Sequence, residues 1–335
     1  MAETVKVALV YHNLVVGGVQ KKIIDILQSA VKRKKDWRIV LILGKKTGVF
    51  LPQVPPGVKV IDLGVDKNSF WYFLFPFKLL VTVWREKPGR ILAFMDVCGC
   101  SAVLVKKLSF WRKLKVDINE NVMLSKFYKY RRFGGLRKIL VKIFYPGADK
   151  ISAISESMKQ DLIRNFGLLP TKVIVIPNRV PSSFLKRQKK KIKKDIDLLY
   201  VGRFETEKNL TFLLKVFADV VKKSPKTNLY LVGEGRDRER LEKEIKLLNL
   251  TGKAFIAGPV ADTQPYFRRA KVFVLTSLSE GVPLVLLEAM AVGIPAAVQD
   301  IPAMRQLAGR GKGIILAKGR KQFVKAILRL MKNKS

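Results

Sequence analysis

Cysteine, acid and long apolar runs are all scarce in this chain. Cys98 and Cys100 are its two cysteines in 335 residues, with one glycine between them. Two cysteines so close cannot form an ordinary disulfide, so no disulfide framework is expected, and a reducing, cytoplasmic compartment is the simplest expectation. Acid is short against base: 26 Asp and Glu stand beside 65 Lys and Arg, a formal charge of +39. That imbalance predicts attraction to a polyanion, whether nucleic acid, an anionic membrane face or an anionic substrate, and does not choose among them. The most apolar segment, residues 70–84, is shorter than the roughly 20 residues that span a bilayer. Pro76 and Lys78 also interrupt it, which argues against a transmembrane helix. The first residues lack the basic-then-apolar layout of a signal peptide. No G-x-G-x-x-G follows the first apolar run, which excludes a dinucleotide reading. No short-period repeat and no RNA-recognition, zinc-finger or helix-turn-helix pattern is found, so a nucleic-acid-binding reading rests on charge alone.

What is present is a globular composition, 48% apolar, and a length that suggests about two domains. Apolar runs at residues 5–11, 38–43, 58–62, 90–95, 115–119, 149–154 and 173–176 read as strands, mostly separated by helical stretches. This alternation predicts an α/β fold with a doubly wound parallel sheet. The pattern restarts near residue 196, which predicts two Rossmann-like domains, 1–180 and 196–335, joined by a basic linker, 181–195. The linker's run of lysines should be solvated. The aromatic segment from residue 70 fits either a core helix or a helix lying on a membrane surface.

The second half carries the chemistry. Val272-Phe273-Val274-Leu275 reads as a buried strand, followed by Ser279-Glu280-Gly281-Val282-Pro283-Leu284 and a helix-forming run containing Glu288. Pro283 suits the first position of that helix. Glu280 is thus expected on a strand-to-helix loop, Glu288 within the helix, and free amides at the helix start, where a phosphate would be attracted. Another strand, 196–201, runs into Gly202-Arg203-Phe204-Glu205-Thr206-Glu207-Lys208. Arg203 and Lys208 there form a rigid guanidinium and a mobile ammonium suited to a diphosphate. Gly233 follows the strand at 229–232, and the pair Gly17-Gly18 follows the first strand; both let a backbone approach a ligand. Asn119 and Glu120 lie at a strand end, where α/β ligand sites gather, ahead of the basic-aromatic run 126–133. Asp195 and Asp197 spell D-x-D, but at a strand start, which argues against a metal site there.

The Glu280–Glu288 spacing resembles the E-x7-E signature of family 4 retaining glycosyltransferases of the GT-B type, and the resemblance extends over nearly the whole chain. Gly17-Gly18, Ser155, Pro177-Asn178, Arg203 with Lys208, and the turn at Gly233 match further family segments. The resemblance implies two Rossmann-like domains facing a cleft and transfer of a hexosyl group, with retention, from a nucleotide-diphosphate sugar. It implies that Glu280 faces the sugar, Glu288 holds the ribose, and Arg203 and Lys208 meet the diphosphate, with Gly281, Val282, Pro283 and Leu284 lining the site. No metal and no further cofactor is expected. The family's loop histidine is replaced by Asn119, Glu120 and Asn121. Family members usually continue into a longer C-terminal helix, of which the helical run 322–331 is expected to be only the start. With His12 the single histidine, a non-catalytic GT-B-like binding protein stays open as an alternative. The basic surface and the aromatic segment point to a lipid-linked or other glycan acceptor of the cell envelope, with the chain peripheral on the inner membrane face.

Overall fold

A computed structural model describes residues 6–15, 17–32, 38–66, 71–109, 113–128, 133–180, 184, 192–309 and 313–332. The run 186–191 of the expected linker and residues 129–132 of the basic-aromatic run lie outside these. The chain divides into two compact units, residues 1–15 with 19–177, and residues 16–18 with 178–335.

In the first unit, β1 (Lys6–Tyr11), α1 (Gly18–Lys32), β2 (Arg38–Leu43) and β3 (Lys59–Asp62) lead to α2 (Trp71–Glu86), β4 (Arg90–Phe94), α3 (Asp96–Leu108) and β5 (Lys115–Asn119). Then come α4 (Leu124–Phe127), α5 (Gly134–Phe144), β6 (Lys150–Ala153), α6 (Glu156–Phe166) and β7 (Val173–Val175). The sheet is parallel, in the order β3-β2-β1-β4-β5-β6-β7. Its central strands are near-continuous Val, Ile and Leu because both faces are covered by helices. Chain direction reverses beside β1, so right-handed crossovers carry α1 to one face and α2, α3 and α5 to the other. Ser155 caps α6, its Oγ accepting from Met158 N at 3.3 Å, and Gly167 ends that helix with φ 70°.

At the outer edge of this unit, Lys6 of β1 and Lys59 of β3 both donate to the carboxylate of Glu86 at the end of α2, at 2.7 and 2.6 Å. These two hydrogen bonds hold the Glu86 carboxyl down to about 2. Phe75, Leu79 and Val83 of α2 are fully buried, so part of the aromatic segment is core.

The second unit contains β8 (Ile196–Val201), α7 (Leu210–Lys223), β9 (Leu229–Val232), α8 (Arg238–Leu247), β10 (Ala254–Gly258) and α9 (Gln264–Arg269). It continues with β11 (Ala270–Leu275), α10 (Leu284–Val292), β12 (Ala296–Gln299), α11 (Pro302–Ala308), β13 (Ile314–Ala317) and α12 (Arg320–Lys332). The strands form a second parallel sheet in the order β10-β9-β8-β11-β12-β13. Every residue of β8 is buried, as the centre of such a sheet requires. Helix α12 lies against α7, where Phe212 meets Phe323 edge-on at 5.6 Å.

Three expectations are adjusted. The linker is not wholly solvated: Phe184 is buried in the second unit's core, edge-on to Phe267 at 5.6 Å. Asp195 and Asp197 are structural. Asp195 accepts two hydrogen bonds from Arg269, and Asp197 pairs with Lys271 at 2.7 Å and accepts from Asn228 N. Pro283 stands one residue before α10, with ψ 118°, not in its first turn. Among the described residues, no helix is long and apolar enough to cross a membrane.

Two stability outcomes follow. Because the folded Glu86 carboxyl is depressed, the charged pair stabilises the fold above the free glutamate value and is lost as pH falls from about 4.5 toward 2. Lys59 is largely exposed and its charge screened, so the contribution is on the order of 1–2 kcal/mol. Urea melts at pH 6 and pH 3 should show a smaller acid-induced loss in Glu86→Gln than in the wild type. Separately, a Cβ on Gly233 would lie 1.9 Å from the Gly202 carbonyl oxygen. Gly233→Ala should lower stability by about 2–4 kcal/mol, read as a drop in thermal midpoint. Gly89→Ala, where a Cβ meets nothing within 4 Å, should melt as the wild type does.

Candidate functional site

The second unit gathers its polar loops at the carboxyl ends of its central strands, where ligands bind in open α/β sheets. After β8, Gly202 packs so closely that a Cβ would meet the Tyr200 hydroxyl at 2.7 Å. The Tyr200 hydroxyl donates to the Arg203 carbonyl oxygen at 3.0 Å. Gly202 N donates to Val232 O and Phe204 N to Glu234 O, which lays the loop after β8 against the loop after β9. Gly233 and Gly235 are therefore places where no side chain fits. Asn209, left-handed at φ 54°, turns the chain into α7.

Lys208, on the turn just before α7, extends its ammonium to Glu280 on the loop after β11. The Nζ to Oε1 distance is 2.6 Å, with the two side chains only 15% and 12% exposed. Backbone contacts align the two loops. Leu278 N donates to Glu207 O at 2.8 Å, and the Thr276 hydroxyl donates to Lys208 O at 3.0 Å. Arg203 lies on the same β8 loop, about a third exposed, with its guanidinium 3.5 Å from Glu207. Gly281, Val282 and Pro283 continue from Glu280 into α10, and the amides of Leu284 and Val285 head that helix, ahead of the first carbonyl in it that could accept from them. Glu288, just over one turn into α10, is fully buried, with the Thr263 hydroxyl 3.5 Å from its Oε2.

So Arg203, Lys208, Glu280, Glu288, Gly233 and the 281–284 segment all belong to one unit, and Lys208 and Glu280 touch. Two contributors went unassigned from sequence. Asn178, in the Pro-Asn segment, donates from Nδ2 to Val282 O at 3.1 Å and supports the loop before α10. Thr263 lies beside Glu288. A lone threonine far away in sequence carries no signal, whereas Asn178 sits in the Pro177-Asn178 segment that matches the family.

The candidates from the first half of the chain differ. Gly17, at φ 143°, lies between β1 and α1, and Gly18 opens α1, exposed. Asn119 and Glu120 were expected to face a ligand but are enclosed. Asn119 Nδ2 donates to the Ser152 hydroxyl at 2.5 Å. Glu120 is fully buried and accepts a very short hydrogen bond from the Tyr145 hydroxyl. Burial first, and the nearby Asp96 charge second, push the Glu120 carboxyl well above the usual range. Asp96 itself is gripped by Arg137 at 2.7 and 2.6 Å and by the Tyr128 hydroxyl at 2.9 Å. Arg137 thereby fastens α5 to α3. Cys98 and Cys100 lie on α3, neither of them in a disulfide. Among the described residues, no cluster of His, Cys, Asp and Glu could hold a metal ion.

Comparison with known proteins adds the following. A model of "Glycosyltransferase Family 4" matches residues 16–184, and one of "Glycosyl transferases group 1" matches residues 182–335. The chain is similar to an N-acetylgalactosaminyltransferase of Campylobacter jejuni, named for a diphospho-undecaprenol-linked substrate, at 32% identity over 54% of this chain and 50% of that one. It is also similar to the O-antigen biosynthesis glycosyltransferase WbnH of Escherichia coli, at 28% identity over 90% of this chain and 82% of that one. The chain spans 50% to 61% of the length of several curated relatives that it matches. In fold it is similar to Anabaena HepE, solved with UDP and glucose, at a TM-score of 0.78 and 17% identity over 98% of this chain and 90% of that one. The two parallel Rossmann-like sheets are thus those of GT-B glycosyltransferases, and with one family model spanning just over half its length the chain belongs to glycosyltransferase family 4.

Proposed function

We propose that this protein transfers a hexosyl group, with retention of anomeric configuration, from a nucleotide-diphosphate sugar to a glycan or lipid-linked acceptor at a membrane surface. The observation that carries this is the Lys208–Glu280 pair: a largely buried ammonium and carboxylate placed together beside the head of α10. Breaking an anomeric bond releases a diphosphate with added negative charge. Lys208, Arg203 and the first amides of α10 would meet that charge where it grows, and one such donor is typically worth about 3 kcal/mol of barrier. Glu280 would exchange its hold on Lys208 for the sugar, its carboxylate favouring a cation-like anomeric centre. Glu288, enclosed and held by its neighbours, would orient the ribose hydroxyls. The cations supply charge stabilisation, so no metal is required in this reading. The first unit would take the acceptor. The diphospho-undecaprenol substrate for which the Campylobacter relative is named supports the lipid-linked choice. A cytoplasmic protein peripheral on the inner membrane face is the matching location.

The test is a panel of nucleotide sugars against the purified chain, with membrane extract as acceptor and product configuration read by NMR. Retained configuration and turnover undiminished by a chelator are expected. Lys208→Ala and Glu280→Ala should each lower kcat/KM by roughly 100- to 1,000-fold. Glu288→Ala should act mainly by raising KM for the donor. Selective nucleotide-sugar binding with no turnover, unchanged by Glu280→Ala, would leave a binding protein in place of the enzyme.

A further inference from the structure

Helices α2, α3 and α5 lie side by side on one face of the first sheet, and their outer surface is unusual. On α2, Phe75, Leu79 and Val83 point into the core while Phe73, Phe77, Val81 and Trp84 are exposed, Phe73 by 78% and Phe77 by 64%. At 100° per residue the two sets fall on opposite sides of the helix. The α2 helix therefore carries a second apolar stripe that stays exposed among the described residues. On α5, Val141 and Arg137 face inward while Leu136, Ile139 and Ile143 are each more than half exposed. The two stripes flank the C-terminal end of α3, where Trp84 Nε1 donates to the Ser109 hydroxyl at 3.0 Å and Leu108 is 46% exposed.

Charge on the same region is one-sided. Residues 71–144 hold 16 Lys and Arg but four acids, Glu86, Asp96, Asp117 and Glu120. All four are turned inward. Glu86 and Asp96 are buried in ion pairs, Asp117 is held by Arg90 at 2.5 Å, and Glu120 is enclosed. Exposed Arg85, Lys87, Lys107, Lys126, Lys138 and Lys142 meet no exposed acid in this stretch.

We propose that the outer face of α2, α3 and α5 docks on an anionic lipid bilayer, with Phe73, Phe77, Ile139 and Ile143 entering the headgroup–acyl boundary and the flanking cations meeting lipid phosphates. Large rings and branched aliphatics beside cations, with acid withdrawn from the surface, match the amphiphile that an anionic interface selects. A nucleic acid would use the cations but not the aliphatic stripe on α5. This surface extends the proposed membrane location yet stands without it, because docking needs neither donor nor acceptor.

The test uses the full chain and vesicles free of any substrate. Vesicles of equimolar phosphatidylglycerol and phosphatidylcholine should bind it at least tenfold more tightly than pure phosphatidylcholine does, and high salt should weaken binding without abolishing it, since charges but not apolar contacts are screened (the screening length falls from about 10 Å at 0.1 M to about 3 Å at 1 M). The combined variant Phe73→Ser, Phe77→Ser, Ile139→Ser and Ile143→Ser, with its thermal midpoint checked, should lose at least tenfold in affinity. Brominated lipids should quench the wild type more than Trp84→Phe, which gives a readout independent of the combined variant. Equal binding to both vesicle types, a serine variant that binds like the wild type, or stripes that instead hold two copies of the chain together would each overturn the proposal. Vesicle docking in a chain that transfers no sugar would leave it standing and remove only the enzyme reading.

Discussion

A lysine and a glutamate held 2.6 Å apart with little solvent around them constrain the second unit more than any other pair. Removing two charges from water costs several kcal/mol, which their mutual attraction restores only when geometry and further hydrogen bonds are good. Such a pair is therefore a poor stabiliser, and its position needs support from elsewhere. The backbone supplies it. The Leu278 amide and the Thr276 hydroxyl fasten the loop after β11 to the turn that ends in Lys208, and Asn178 supports the segment leading into α10. The two charges are thus placed by the sheet's strand ends and not by their own attraction. That is what a site needs if one partner is to be given up to a ligand.

The strand ends can do this because glycine lets them close on one another. The loop after β9 passes against the loop after β8 with no space for side chains at Gly233 and Gly235. Hydrogen bonds from Gly202 N and Phe204 N then set the Arg203 segment at a fixed height above the sheet. The same packing explains why one loop presents both cations. Arg203 leaves the strand end directly, and Lys208 follows five residues later, after a turn that Asn209 completes in a left-handed conformation.

Much of this was legible in the sequence, for identifiable reasons. Strands covered on both faces are rich in Val, Ile and Leu, so β1, β2, β4 and β8 are legible within a residue. The Glu280–Glu288 spacing and the loop at Arg203 are local features, and local features survive reading one chain without its neighbours. What stays hidden is tertiary in origin. Asn119 and Glu120 stand at a strand end, and the partners that enclose them, Ser152 and Tyr145, come from elements distant in sequence. Phe184 lies amid a lysine-rich stretch that suggested solvent, and only the second unit's core shows what it packs against. The short α11 and β13 carry too few residues to show a period.

The charge of the chain follows from how its acids are used. Acid after acid is committed to a structural partner: Asp149 to Lys106, Asp195 to Arg269, Asp219 to Arg320, Asp300 to Arg305. Were all 26 acids so matched, 39 of the 65 Lys and Arg would still lack an acidic partner. Exposed cations gain little from scattered surface pairs and repel one another, so their number weakens the folded state, and it is the two apolar cores that sustain it. Such a surplus is not explained by stability. Where it lies beside an uncovered apolar stripe, as on the first unit's outer helices, repulsion and exposed hydrocarbon are both relieved by one kind of environment: a surface that is anionic at its edge and apolar beneath.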